Sequence, residues 1–340
     1  MASSRRSSAA FLAAGLLGGL ALSRARRRAS LRGACALVAG GSRGLGLLIA
    51  RELAGQGARL VLLARDGDEL QRAGEELSGK GAQVLAIRCD VADANAVERA
   101  VVAAEERFGT VDVLVNCASI IQVAPAETLS LADLRAAMDV NFWGSVHTTL
   151  AVLPRMRSRR RGRIVNITSI GGAVAVPHLL GYSSAKFAAL GFSTGLASEV
   201  ERYGIRVTTV VPGLMRTGSF VHALVKGQRE AEASLFSTAS SLPVVTMNAR
   251  RAAQRVVQAC ERGERFVVLG APAKALRLAA ALAPGLTGAV LALTARLLPG
   301  PGGEPHAPAE PAGAHRRAGG LLTRLGDAAA AENNEVRTLH

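Results

Sequence analysis

The chain has 340 residues, 49% of them hydrophobic and 20% charged, so it can bury a large core, and disorder is excluded for most of its length. Its formal charge of +15 suggests nucleic acid only until its distribution is read: seven arginines (Arg5, Arg6, Arg24, Arg26, Arg27, Arg28, Arg32) and six more (Arg155, Arg157, Arg159, Arg160, Arg161, Arg163) supply thirteen of those charges. No aromatic residues interleave with either run as a stacking platform requires, so no nucleic-acid partner is expected and residues 155–163 read as a solvated basic loop.

In chain order, residues 1–32 form a basic segment around an uncharged run, residues 7–23. Three readings stay open for that run: a membrane anchor or surface helix, an unstructured extension, or a transit or export signal. With positive charge on the near side, an inserted run would leave the following domain on the cytoplasmic face of a membrane, so a cytoplasmic or membrane-attached protein is expected.

From residue 33 to about 270 short apolar runs alternate with amphipathic segments. Strands are predicted at "ACALVAG", "ARLVLLA", "AQVLAIR", "VDVLVN", "GRIVNIT", "IRVTTVV" and "RFVVLG", with helices between them. That alternation predicts an α/β, Rossmann-type doubly wound parallel sheet of about seven strands, with helices on both faces. Beyond it, residues 271–298 read as an apolar helical extension. Pro284 and Gly285 divide it into two short helices that cap a substrate cleft or dip into a membrane surface. Residues 299–340 read as a flexible C-terminal tail, rich in proline, glycine and alanine over 299–318. Cys35, Cys89, Cys117 and Cys260 show no CxxC and no metal-ligand spacing; they read as buried free thiols in a reducing compartment, and no metal is expected.

Directly after the first predicted strand, "AGGSRGLG" places Gly40, Gly44 and Gly46 at the opening of a helix. Glycines there let the backbone turn sharply and approach a pyrophosphate, whose charge the helix N-terminus favours. The second strand ends at Arg65, where an acidic residue would accept from a ribose 2'-hydroxyl. A guanidinium suits a 2'-phosphate instead, and Arg43 in the turn can add a second charge. The expected cofactor is therefore NADP(H) rather than NAD(H), against the plainer reading that Arg65 merely pairs with Asp66 or solvent. Farther on, "GYSSAKF" sets Tyr182 four residues before Lys186, on one face of a helix.

These motifs, with Asp90 in "CDV", Asn116 and Ala118 in "NCAS", Asn141 in "VNFWG", Ser169 in "NITSIGG" and Pro212, Gly213 and Thr217 farther along, resemble the classical short-chain dehydrogenase/reductase family over about residues 34–270. The resemblance implies a catalytic set of Asn141, Ser169, Tyr182 and Lys186. Tyr182 would donate a proton to a carbonyl oxygen as hydride arrives, Lys186 would hold the nicotinamide ribose and lower the phenol pKa, Ser169 would hydrogen-bond the substrate oxygen, and Asn141 would hold a water. It further implies cofactor contacts at Gly40, Ser42, Arg43, Gly44, Leu45, Gly46, Arg65, Asp90, Val91, Asn116, Ala118, Tyr182, Lys186, Pro212, Gly213 and Thr217. The sequence departs from the family at Ala39, where a threonine is usual, and at Ser119, where a glycine is usual near the nicotinamide.

The function expected is hydride transfer between NADP(H) and the carbonyl or secondary alcohol of a hydrophobic small molecule. An NADP(H)-binding sensor or scaffold without turnover is the alternative. Residues 214–247 would form the substrate lid, their apolar positions serving either the substrate or ordinary packing. His178 reads as a satisfied loop histidine or one facing the cleft. The helices around 131–157 and 182–203 correspond to the dimer-forming helices of many relatives, so a homodimer or homotetramer is expected.

Overall fold

The computed structural model describes residues 29–243, 245–302 and 323–336. The apolar run at 7–23 lies outside them. Seven strands form one sheet: β1 (Cys35–Ala39), β2 (Arg59–Ala64), β3 (Val84–Arg88), β4 (Val113–Asn116), β5 (Gly162–Ile167), β6 (Ile205–Pro212) and β7 (Phe266–Leu269). All pair in parallel, in the order β7-β6-β5-β4-β1-β2-β3. Each predicted apolar run became one of these strands.

The sheet is buried on both faces because its side chains alternate. Ala36 and Val38 of β1 join the core with α1 (Gly44–Gly55), α2 (Gly67–Gly79) and α8 (Ala249–Arg262). Cys35, Leu37 and Ala39 join the other core, with α3 (Ala94–Phe108), α5 (Gly144–Ser158) and α6 (Leu180–Val200). Each fully buried leucine or isoleucine, such as Leu37, Leu62, Leu114 or Ile164, contributes about 1.5–3 kcal/mol. Helix starts are written locally: Asp66 and Asp93 accept backbone N–H groups at the heads of α2 and α3, and Ser130 with Asp133 forms a capping box on α4 (Leu131–Met138). Between α4 and α5, Asp139–Trp143 adopt a π-helical turn, which places Asn141.

Strand order reverses between β1 and β4, and there the carboxyl ends of the strands open a crevice. Residues 214–248 arch over it through α7 (Arg229–Ser241) and two short parallel pairs, Gln122–Val123 with Leu224–Val225 and Met215–Arg216 with Met247–Asn248. The arch is pinned by a buried cluster in which Lys226 Nζ lies 2.5 Å from Asp133 Oδ2, while Gln122 donates to Oδ1 at 2.9 Å. Burial works against the charged carboxylate, yet Lys226 and Ser130 hold Asp133 well below the usual carboxylate range.

The basic stretch at 155–163 is not a free solvated loop. Arg155 bridges Glu98 and Glu105, Arg159 lies near Asp112 and donates to the Val111 carbonyl, and Arg163 donates to the Cys260 carbonyl. The segment 271–298 forms two helices divided at Pro284, α9 (Ala271–Leu282) and α10 (Pro284–Ala295), which pack on each other as a hairpin. Within the segment read as a flexible tail a last helix, α11 (Arg324–Glu332), docks on α7 and Met215–Arg216. Among the described residues no helix is long and apolar enough to cross a membrane.

Candidate active site

The glycine turn follows β1, as the motif requires. Gly40 has φ +79°, and a Cβ there would stand 2.6 Å from the Ala118 nitrogen, so the chain ends of β1 and β4 meet over a bare backbone. A Cβ on Gly46 would lie 1.8 Å from the Gly40 carbonyl oxygen, so the first turn of α1 packs directly on the loop. Leu45 is buried beside it, and buried Ser42 donates to Glu69 at 3.2 Å. No side chain caps α1; its first N–H, that of Gly44, donates to the Asn333 carbonyl at 2.9 Å. A carboxyl group already stands at that end: a Cβ on Gly44 would lie 2.6 Å from Oε1 of Glu335. The turn therefore suits the anionic diphosphate of a dinucleotide.

At the end of β2, Arg65 is exposed, and Asp66 caps α2 through the Glu69 N–H rather than serving as a partner reserved for Arg65. That backbone bond, resisted by burial, holds the Asp66 carboxyl below its ordinary range. Arg43 reaches Glu69 at 3.0 Å and Glu335 at 3.5 Å. Asp90 is exposed and accepts from the Ala92 N–H; Val91 is buried, its side chain close to Gly144 and its carbonyl 2.9 Å from His147. Pro212 ends β6, Gly213 donates to the Leu269 carbonyl, and buried Thr217 donates to Ser219.

Asn116 turns its side chain away from the crevice. Its side chain points into the protein, donating to Asn166 at 2.8 Å and accepting from Thr148 at 2.6 Å. Asn166 in turn donates to Ser193, which meets Thr209 at 2.6 Å. These buried amides and hydroxyls satisfy one another, so the Asn116 side chain ties β4 to β5 and α5.

Ser169, at the end of β5, hydrogen-bonds Tyr182 and accepts from the Gly171 N–H at 3.0 Å. Gly172 is needed here: a Cβ would stand 2.5 Å from the Lys186 carbonyl, so its absence lets this loop pack against α6. Lys186, 3% exposed, donates to the Ile167 carbonyl at 3.2 Å, with its Nζ 5.7 Å from the Tyr182 ring centre.

The expected lowering of the phenol pKa does not occur in this arrangement. Burial pushes Tyr182 upward, only partly opposed by the Ser169 hydrogen bond, and burial also drives Lys186 down to about 8. Burial disfavours the charged form of each group, and this desolvation outweighs the pairing that the four-residue spacing suggested.

Asn141 sits beyond this trio and is held firmly. It accepts from Ser119 Oγ at 2.6 Å and from the Ile120 N–H, and donates to the Ile120 carbonyl at 3.0 Å. Ser119, the family departure, thus bonds Asn141. Cys117 was not anticipated as a neighbour of the site, yet burial raises its thiol to about 12, with the nearby Lys186 charge opposing that rise and Glu335 adding to it. Its place in "NCAS", between Asn116 and Ala118, was the available signal. His178, with φ +61°, sets Nδ1 2.7 Å from Glu232 Oε1 of α7, so it joins the loop before Tyr182 to the arch. Phe220, Ala223 and Val225 of the arch are buried.

A doubly wound sheet with a glycine turn at its switch point and a Ser–Tyr–Lys cluster at the neighbouring strand end defines a dinucleotide-type oxidoreductase scaffold. A family model described as short chain dehydrogenase matches residues 34–226. The chain belongs to that family and is an oxidoreductase of its type.

It is 37% identical over 180 residues to "Oxidoreductase BOA17" of Botryotinia fuckeliana, covering 53% of this chain and 65% of that protein. It is 38% identical over 188 residues to the "3-ketodihydrosphingosine reductase" of Mus musculus, covering 54% of this chain and 57% of that one. The chain thus spans less than two thirds of the length of either relative. Among solved structures it is similar to a metagenomic short-chain oxidoreductase in complex with NADP, with TM-score 0.58 and 27% identity, covering 71% of this chain and 97% of that one.

Proposed function

We propose that the protein is an NADPH-dependent reductase of apolar ketones. The observation that carries this reading is the Ser169–Tyr182–Lys186 cluster just past the end of β5, with Ser169 and Tyr182 half-buried over a buried Lys186. The dinucleotide, held along the turn and at Arg65, would supply the hydride. Tyr182, whose phenol burial keeps protonated at neutral pH, is in the right state to give its proton to a carbonyl oxygen. Ser169 would orient that oxygen, and Lys186, its Nζ 5.7 Å from the Tyr182 ring centre, would help resupply the proton. Asn141, locked by Ser119 and Ile120, fixes the far wall through the π-helical turn. Reduction is accordingly the favoured direction near pH 7, because alcohol oxidation needs the phenolate.

The NADPH preference rests on Arg65, exposed at the end of β2, and on Arg43. A charge-assisted hydrogen bond is worth about 1.5–3 kcal/mol, so Arg65→Ala should reduce the preference for NADPH over NADH roughly tenfold or more. Steady-state assays with a panel of long-chain ketones, aldehydes and diketones measure this, and an unchanged cofactor ratio would rule Arg65 out as its source. Similarity to the sphingoid reductase puts a long-chain 3-ketone first in that panel.

Membrane attachment has its own support. The α9–α10 hairpin exposes Leu278, Leu282, Leu286, Val290, Leu293 and Leu297, and residues 271–302 contain no acid while carrying Lys274, Arg277 and Arg296. Twelve-residue helices are about 18 Å long, enough to lie in a bilayer interface but not to cross it. The protein should float with vesicles containing anionic lipid, and Leu282→Glu with Leu286→Glu should weaken that flotation severalfold; equal flotation of both would remove the hairpin from the attachment.

A homodimer is supported by Leu131, Trp143, Leu150, Leu180 and Phe187, exposed on α4, the π-helical turn, α5 and α6. Light scattering of the same preparation in detergent should read a multiple of the chain mass, and a monomer mass would refute it.

A further inference from the structure

We infer that the C-terminal segment 324–336 is an intramolecular competitor of the dinucleotide, so that the reductase folds with its cofactor groove closed by its own tail. The inference rests on the cofactor reading above but not on the substrate. Its basis is the set of groups the segment occupies, because they are those the glycine motif offers a cofactor. The Gly44 N–H, at the head of α1, donates to the Asn333 carbonyl at 2.9 Å. Asn334 donates to the Ser42 carbonyl at 2.8 Å and to the Glu69 carbonyl at 2.9 Å, and accepts from Arg72. Asn333 donates to the Thr217 carbonyl at 3.0 Å on the opposite wall. Glu335 lays its carboxylate against Gly44 and Arg43, and His222 of the arch reaches its backbone carbonyl at 2.8 Å. Ser42, Arg43, Gly44 and Thr217 are thereby held by the tail at once.

Anchoring comes from α11. Gly218 has φ +88°, and a Cβ there would lie 2.3 Å from the Cα of Ala330; a Cβ on Gly326 would lie 2.3 Å from Ser241 Oγ and 2.7 Å from the Phe220 ring. Gly218 and Gly326 let this helix lie flush on the arch. Arg51 adds a bond to the Glu332 carbonyl at 3.0 Å, and Arg250 pairs with the Glu332 carboxylate.

The seal is closed but reversible, because its central charge is poorly matched. Glu335 is 4% exposed, and its Oε2 makes no hydrogen bond within the structure, with Arg43 Nε at 3.5 Å and His222 Nε2 at 3.6 Å. A buried carboxylate so placed favours its neutral form: burial raises Glu335 to about 8, Arg43 opposing and Glu69 adding to the rise, with Cys117 also facing it. The docked state therefore holds a proton that the released tail, at the ordinary carboxylate value, gives up. Docking is strongest below that ordinary value and is lost as pH rises through about 8. A dinucleotide diphosphate, a stronger anion at the same helix end, would displace it.

The test is NADPH binding by the full-length chain beside Ala330→Arg and Gly326→Val, which undock α11 without altering any residue of the groove. Binding is followed by nicotinamide fluorescence, and exchange of the 324–336 amides by mass spectrometry. Both variants should bind NADPH at least about tenfold more tightly than the parent. Saturating NADPH should deprotect the parent's 324–336 amides. Glu335→Gln, unable to ionise, should bind NADPH more weakly than the parent at pH 8.5, and the parent's affinity should rise between pH 6 and 9 more than that of Ala330→Arg. Equal or weaker binding by both undocked variants, or increased protection of 324–336 by NADPH, would overturn the inference and make the tail part of the cofactor site. Absence of NADPH binding by all of them, with the tail protected in the parent and exposed in the variants, would overturn the cofactor reading itself and the competition with it.

Discussion

Tyr182→Phe is expected to lower kcat for ketone reduction by about 10²–10⁴-fold, the range that a positioned general acid contributes. NADPH binding should stay within about twofold, because only the hydroxyl is removed. Its loss deletes the hydrogen bond with Ser169, about 1 kcal/mol of stability, so the variant remains folded. The pH profile sharpens this expectation. Since burial raises the phenol pKa, the wild-type protein donates a proton throughout the neutral range, and reduction should not decline as pH rises from 6 to 8 through any loss of that proton. The Lys186 ammonium, by contrast, is lost through about pH 8, so whatever it contributes should fade on the alkaline side. Alcohol oxidation should climb toward high pH. Stopped-flow measurement of nicotinamide absorbance in both directions checks each statement, and a Tyr182→Phe protein with undiminished reduction would transfer the proton donor to another group.

Gly46→Ala is expected to abolish dinucleotide binding and to destabilise the fold by about 1–3 kcal/mol or more. The added methyl would stand 1.8 Å from the Gly40 carbonyl oxygen and 2.8 Å from its carbon, and backbone cannot swing aside as a flexible side chain would. Either α1 shifts away from β1 or the turn opens, and both misplace the N–H groups at the head of α1. Gly55→Ala at the far end of α1 is the matched control, because a Cβ there meets nothing within 4 Å. It should be neutral or stabilise by about 0.4–1 kcal/mol through the unfolded chain. Urea denaturation and NADPH titration of the pair separate a local steric effect at the turn from a general effect of adding alanine to this helix.

The sequence by itself determined the sheet, the turn and the order of the chemical groups. Period-two and fully apolar runs bounded by glycine specify buried parallel strands locally. The spacings Gly40–Gly44–Gly46 and Tyr182–Lys186 lie within one turn or one helix, where short-range geometry decides what meets. Only the tertiary structure decided what those groups face. Whether a phenol is lowered by a neighbouring cation or raised by burial depends on how much protein surrounds both, which Tyr182 and Lys186 do not reveal at their own positions. The inward turn of Asn116 required knowing that Asn166, Ser193 and Thr209 line up behind it across two strands and a helix.

The tail shows the limit most clearly. Composition marked the residues after 299 as a linker, and the return of a short alanine-rich helix ending in "ENNEV" was the one local hint of docking. Asn334 bonds Ser42 across nearly the whole chain, and no periodicity encodes a contact at that separation. It exists because the glycines of the turn and of the arch leave room for a helix, and because the head of α1 offers its Gly44 N–H to the Asn333 carbonyl.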